Sequence, residues 1–133
     1  MLLPDGWSDR SINTFVMPSG RDGGAISIVI TRDYDSPGAD LVAFADRQLI
    51  LAAQKLPGYQ YLSRTAASLD GERAVQADYS WRSPDGKIIR QRQAVTKLGG
   101  LFLIITLTAL EGDFPLAEAY WTQFLPSFRL RRE

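Results

Sequence analysis

The sequence of 133 residues contains no cysteine and no histidine. Without thiols there is no disulfide, no thiolate metal site, no cysteine nucleophile and no lipid anchored on cysteine. Without imidazole the Ser-His-Asp arrangement and His-ligated zinc also disappear, and with them the commonest general base and the commonest metal ligand. Charge of one sign is lacking as well: fifteen Lys and Arg balance fifteen Asp and Glu, for a formal net charge of zero. The long-range positive field of a phosphate-binding surface is therefore absent, and no nucleic-acid partner is expected. Long apolar runs are missing too. The most apolar stretch, 101–110, is about half of the ~20 residues that a helix needs to cross a bilayer, so it reads as a buried strand and no membrane span is expected. The opening Met1-Leu2-Leu3-Pro4-Asp5-Gly6-Trp7 has no basic lead and no extended apolar core; it does not read as a secretory signal, and a cytoplasmic location is expected. These absences point away from an enzyme and from any cofactor.

What remains is 45% hydrophobic and 23% charged, the balance of an ordinary globular domain, and a chain of this length buries roughly two thirds of its unfolded surface. A single domain over 1–133 is expected. Residues 10–17 and 25–31 are rich in strand formers around a turn-dense 18–24, which predicts a hairpin. Apolar residues at Leu41, Phe44, Ala45, Leu49 and Ala52 have helical spacing, with Asp40 placed as the cap and Leu56-Pro57-Gly58 as the stop. Strands follow at 59–69 and 72–83 around Asp70-Gly71, a dipeptide suited to a primed turn. Phe114, Ala117, Tyr120, Trp121 and Phe124 predict a second helix over 113–124, ended by Pro126. The order β-β-α-β-β-β-β-α is an α+β antiparallel meander with flanking helices.

Two turns set the register. Ser83-Pro84-Asp85-Gly86-Lys87 suits a three-residue hairpin loop that sets Ser83 opposite Lys87, and Gly99-Gly100 suits a two-residue loop. Counting from them places Trp81 opposite Ile89, Tyr79 opposite Gln91, Ala77 opposite Gln93, then Gln93 beside Thr106 and Gln91 beside Thr108, all on one face. Asp78 pairs with Arg92 on the other face, with Leu101, Leu103, Ile105, Leu107, Ala74 and Ala94, small and aliphatic groups suited to lying under helices.

Several patterns have plain readings. The 20–24 glycine cluster lacks a following Lys-Ser/Thr and helix, so it is a hairpin loop and not a phosphate cradle. Asp33, Asp35 and Asp40 lack the acidic residue a calcium loop needs, since Phe44 stands at its place. The Asp78/Arg92 and Glu111/Asp113 pairs read as structural charges, and Arg129, Arg131 and Arg132 as a solvated end. The face of Tyr79, Trp81, Gln91, Gln93, Thr106 and Thr108 has two readings. One is a sheet face covered by the 113–124 helix with the glutamines at its wet edge. The other is a binding surface, in which aromatic and apolar area supplies affinity and the amides answer occasional polar groups on an apolar partner.

Leu3-Pro4-Asp5-Gly6-Trp7-Ser8-Asp9-Arg10-Ser11-Ile12-Asn13, Asp46-Arg47-Gln48-Leu49, Leu56-Pro57-Gly58-Tyr59 and Arg90-Gln91-Arg92-Gln93-Ala94 resemble the DUF1795/DcrB-related family, and within it the effector-associated chaperones of bacterial type VI secretion. The resemblance runs from Leu3 to about Phe128. It implies a PsbP/Mog1-like α+β sandwich, a homodimer, and a cytoplasmic adaptor that shields the N-terminal transmembrane segments of a secreted effector before loading on the secretion spike. It also implies that Ile12, Val29, Gln48, Leu56 and Gln91 or Gln93 face the effector's helices; strand register adds Tyr79 and Trp81 to that face. A small-ligand or protein-docking module of the same fold outside secretion is the other reading, and a carboxylate-based hydrolase a third.

Overall fold

The computed structural model describes residues 12–18, 25–34 and 38–130; the 3–11 segment, the 19–24 loop, Asp35, Arg131 and Arg132 lie outside the described residues. In chain order the elements are β1 (Asn13–Pro18), β2 (Ala25–Asp33), α1 (Leu41–Lys55), β3 (Gln60–Leu69), β4 (Glu72–Arg82), β5 (Ile88–Leu98), β6 (Leu101–Leu110), a short 3-10 turn (Glu111–Asp113) and α2 (Phe114–Ser127). The strands form one antiparallel sheet in the order β1-β2-β6-β5-β4-β3. This is the expected α+β meander.

Local chemistry sets its turns. Asp70 and Gly71 both have positive φ, 48° and 83°, the backbone that a primed two-residue hairpin demands and that aspartate and glycine tolerate best. At the next turn Gly86 has φ 84°, its N–H donates to the Ser83 carbonyl at 2.9 Å, and the Ser83 N–H donates to the Lys87 carbonyl at 2.9 Å. Ser83 Oγ also bonds the Asp85 carboxylate. The register that follows is the expected one: Trp81 pairs with Ile89, Tyr79 with Gln91 and Ala77 with Gln93, while Gln91 pairs with Thr108 and Gln93 with Thr106. Asp40 caps α1, Oδ2 accepting from the N–H groups of Val42 and Ala43 at 3.1 and 3.3 Å. At the helix exit the Pro57 carbonyl accepts from the Arg82 N–H at 2.8 Å, tying that end to β4.

The helices lie on opposite faces. α2 covers the aliphatic face, where Phe114, Ala117 and Trp121 pack with Ile26, Ile28, Leu103, Ile105 and Leu107. Trp121 Nε1 donates to Gln76 Oε1 at 3.2 Å. α1 packs on the glutamine-bearing face instead, through Leu41, Phe44 and Ala45 against Val75, Val95, Phe102 and Ile104. Two expectations are thereby corrected. The 113–124 helix does not cover the glutamines, because its aromatic stripe meets the isoleucines and leucines of the other side. Pro126 does not end α2, which runs on to Ser127; proline removes one N–H, and in an exposed last turn the freed carbonyl is open to water.

Asp78, 3% exposed, anchors α2 to the sheet. Its oxygens accept from Arg92 Nε and Nη2, both at 2.9 Å, and from Arg90 at 3.3 Å, and Arg92 continues to Glu118 of α2 at 3.0 Å. The hydrogen bond with Asp78 holds the Arg92 guanidinium pKa above its usual value. The Arg90 guanidinium lies 4.2 Å from the Phe114 ring centroid. Asp78 with Arg92 is thus the structural pair the sequence suggested, with a second arginine added.

Candidate functional site

Side chains alternate across a strand, so the α1 face is built of transverse rows. One row reads Val16, Ser27, Thr108, Gln91, Tyr79, Tyr61 from edge to edge; the next reads Thr14, Val29, Thr106, Gln93, Ala77, Arg64. α1 starts over the rows beyond these, where Lys97 Nζ donates to the Ala39 carbonyl at 2.8 Å, and then runs along the β4 side past the glutamine rows, with Asp46 paired to Arg64 at 3.2 Å and the helix exit tied to Arg82. The two glutamine rows stay outside both hydrophobic cores. Gln91, Gln93, Thr106, Thr108 and Val29 are half-buried, and β1 at the sheet edge stands out to solvent, with Ile12 and Val16 each 65% exposed. The result is a face with a floor of uncharged amides and hydroxyls and an apolar rim.

From the helix side, Gln48 follows Phe44 by four residues and Ala45 by three, so it continues the stripe that α1 turns toward the sheet. Gln48 and Leu56, the C-terminal cap of α1, are both half-buried. Trp81 is half-buried, and its indole Nε1 donates to Gln91 Oε1 at 3.0 Å, while Gln91 Nε2 donates to Thr108 Oγ1 at 2.9 Å. The Gln93 side chain makes no hydrogen bond among the described residues. Tyr79 differs from the rest: it is 4% exposed and its ring lies 5.5 Å from that of Tyr59. Burial, with a smaller contribution from the Tyr59 phenol, pushes its pKa up to about 12. It supports the floor from within and presents almost no surface.

Of the residues singled out in the sequence, Val29, Trp81, Gln91 and Gln93 therefore share one sheet face, with Gln48 and Leu56 on the helix beside it and Ile12 at the edge. Val16 was missed, although the alternation Ile12, Thr14, Val16 carried the signal. Also missed was Tyr61, 56% exposed, whose row position depends on a register irregularity between Tyr61 and Ser63 that no turn motif announces.

Chemically, the face can cover apolar area and satisfy isolated neutral polar groups. Among the described residues no cluster of three or more acidic side chains could hold a metal ion, and no helix is long and apolar enough to cross a membrane.

Comparisons with known proteins agree with this architecture. The chain is 38% identical over 124 residues to a Pseudomonas aeruginosa protein described as Effector EagT6, covering 91% of this chain and 83% of that one. A crystal structure of PA94, a Pseudomonas aeruginosa protein of unknown function, superposes with a TM-score of 0.88 at 33% identity, over 98% of this chain and 90% of that one. LpqN of Mycobacterium tuberculosis, involved in cell envelope biogenesis, shares the fold alone, with a TM-score of 0.51 at 17% identity over 86% of this chain and 80% of its own. The DcrB family profile matches residues 1–127, and the chain belongs to that family, DUF1795, as its motifs indicated.

Proposed function

We propose that the protein is a non-enzymatic chaperone or adaptor of type VI secretion, which covers apolar transmembrane segments of a secreted effector on its half-open sheet face before loading on the secretion spike. The carrying observation is the juxtaposition of exposed apolar β1 with a floor of Gln91, Gln93, Thr106 and Thr108 that α1 leaves uncovered. A membrane segment in water exposes apolar area worth roughly 25 cal/mol per Å² when covered. Each polar group it carries costs about 1–3 kcal/mol if buried without a partner. A surface of aliphatic rim and neutral amides answers both demands, and needs no nucleophile, metal or nucleotide. Similarity to Effector EagT6 supports the secretion-related role.

The protein works as a cytoplasmic homodimer in this reading. β3 is exposed from Gln60 to Ala66 and lies at the sheet edge, where its ladder groups and the exposed Tyr61 and Leu62 invite pairing with another chain; twofold dimers are the commonest closed homo-oligomers.

The test is co-purification with a full-length effector and with one whose apolar stretch is deleted, at low and at high salt. With zero net charge, screening has little to remove: capture survives salt and is lost on deletion, and the free protein has a mass in solution of twice 14.8 kDa. Capture that survives deletion and collapses in salt would replace this reading with an electrostatic docking module.

A further inference from the structure

The relay from Trp81 through Gln91 to Thr108 has a direction that follows from donor chemistry. An indole Nε1 can only donate, so the Gln91 atom 3.0 Å from it is the carbonyl oxygen. That orientation turns the amide nitrogen toward Thr108, 2.9 Å away, and makes Thr108 Oγ1 an acceptor. A hydroxyl that accepts keeps its own hydrogen to give, and among the described residues the Thr108 hydroxyl and the second Gln91 N–H have no acceptor. Hydrogen bonds in a chain polarise one another, so the indole strengthens the amide as a donor and the amide strengthens the hydroxyl. The carbonyl end of the relay is turned to Trp81 on β4. The donor end is turned to β6, where Thr108 lines a recess of about 290 Å³ with Ala25, Ile89 and Leu110 of the sheet and with Ser83, Asp85 and Lys87 of the adjoining turn.

We infer that Gln91 and Thr108 form a donor site, which selects apolar segments carrying an uncharged oxygen acceptor, and that Trp81 is the residue that positions it. The acceptor is a hydroxyl, ether or open backbone carbonyl oxygen on the bound segment. This rests on the reading of the face as a groove for apolar segments. Gln93, with no side-chain partner to orient it, turns its amide either way and contributes no such preference. Trp81 acts through Gln91, and Phe at its position would keep the ring while freeing the amide.

The probes are helical Leu/Ala peptides of about twenty residues with lysines at the ends. They carry Ala, Ser or O-methylserine in turn at each of four consecutive central positions, so that one faces the sheet. O-methylserine accepts a hydrogen bond and cannot donate one. At the facing position the unmodified protein binds the Ser and O-methylserine peptides about two- to tenfold more tightly than the Ala peptide, the range of one net hydrogen bond. In Trp81→Phe the ratio of Ser-peptide to Ala-peptide affinity falls to nearly one, whatever the smaller ring does to the affinity for the Ala peptide. Thr108→Val, close in shape, loses the preference too and decides the matter if Trp81→Phe does not fold. Equal binding of all three peptides at every position, or a preference that survives in both folded variants, overturns the donor site. A further variant, Val29→Asp, separates the two levels. If it abolishes binding of peptides that the unmodified protein does not discriminate, the groove stands and the relay's role falls. If no peptide binds, or Val29→Asp changes nothing, the groove reading falls and takes this inference with it.

Discussion

Phe44 of α1 and Phe102 of β6 stack with ring centroids 3.9 Å apart and planes 3° from parallel, and neither ring is exposed. Arg47 lies 5.4 Å from the Phe44 centroid and Lys97 5.6 Å from that of Phe102, so each ring also has a cation nearby. The stack holds the start of α1 over β6; from there the helix runs along the β4 side to Arg82, and the part of the glutamine rows on β5, β6, β2 and β1 is left half-open.

Phe44→Ala empties the centre of this smaller core. Truncating a fully buried phenylalanine costs about 3–5 kcal/mol, and the loss reads directly in equilibrium urea unfolding. Hydrogen exchange should accelerate first in α1. A cost below about 1 kcal/mol, the ordinary range of surface changes, would mean that α1 is held from elsewhere.

Asp78→Asn leaves Arg90 and Arg92 without the carboxylate between them. Removing one partner of a buried ion pair costs on the order of 3 kcal/mol, checked by the same unfolding titration. The cluster is on the α2 face, so partner capture by the folded variant should match the parent protein at a temperature where both are folded.

Tyr79 makes stability fall at alkaline pH. Its phenol titrates at about 12 in the fold against an ordinary 10.0, so between these values the unfolded chain releases a proton that the native state keeps. Its contribution is complete below pH 10 and is lost as pH rises toward 12, to a total of about 2–3 kcal/mol. The difference in unfolding free energy between Tyr79→Phe and the parent, measured at pH 9 and at pH 11.5, should change by most of that amount; an unchanged difference would contradict the buried phenol.

The two glutamines should separate in their cost. Gln93→Ala removes an amide with no internal partner and changes stability by less than about 0.5 kcal/mol. Gln91→Ala leaves the Trp81 N–H unpaired at a half-buried site, a cost of about 1 kcal/mol. Both weaken retention of an apolar partner. Unfolding of the double variant would make the pair structural, and full retention by a well-folded double variant would remove them from the site.

Much of this arrangement was determined by short-range chemistry that the sequence displays. Asp70-Gly71, Ser83 to Lys87 and Gly99-Gly100 each admit few backbone geometries, so β4, β5 and β6 could be paired residue by residue, and strand alternation then put Trp81, Gln91, Gln93, Thr106 and Thr108 on one face. Asp40 announced α1 because a side-chain oxygen at that place satisfies N–H groups the helix itself cannot. The assignment of helices to faces was decided only in three dimensions. The stripe of Phe114, Ala117 and Trp121 suits either face by its period, and so does that of Leu41, Phe44 and Ala45. The choice falls to the fit of Phe44 against Phe102 and of Trp121 against Gln76, residues 58 and 45 positions apart, and no local propensity encodes contacts over such separations. The open part of the face, and with it the candidate site, exists because α1 runs along its β4 side and leaves Gln91, Gln93, Thr106, Thr108 and Val29 half-buried.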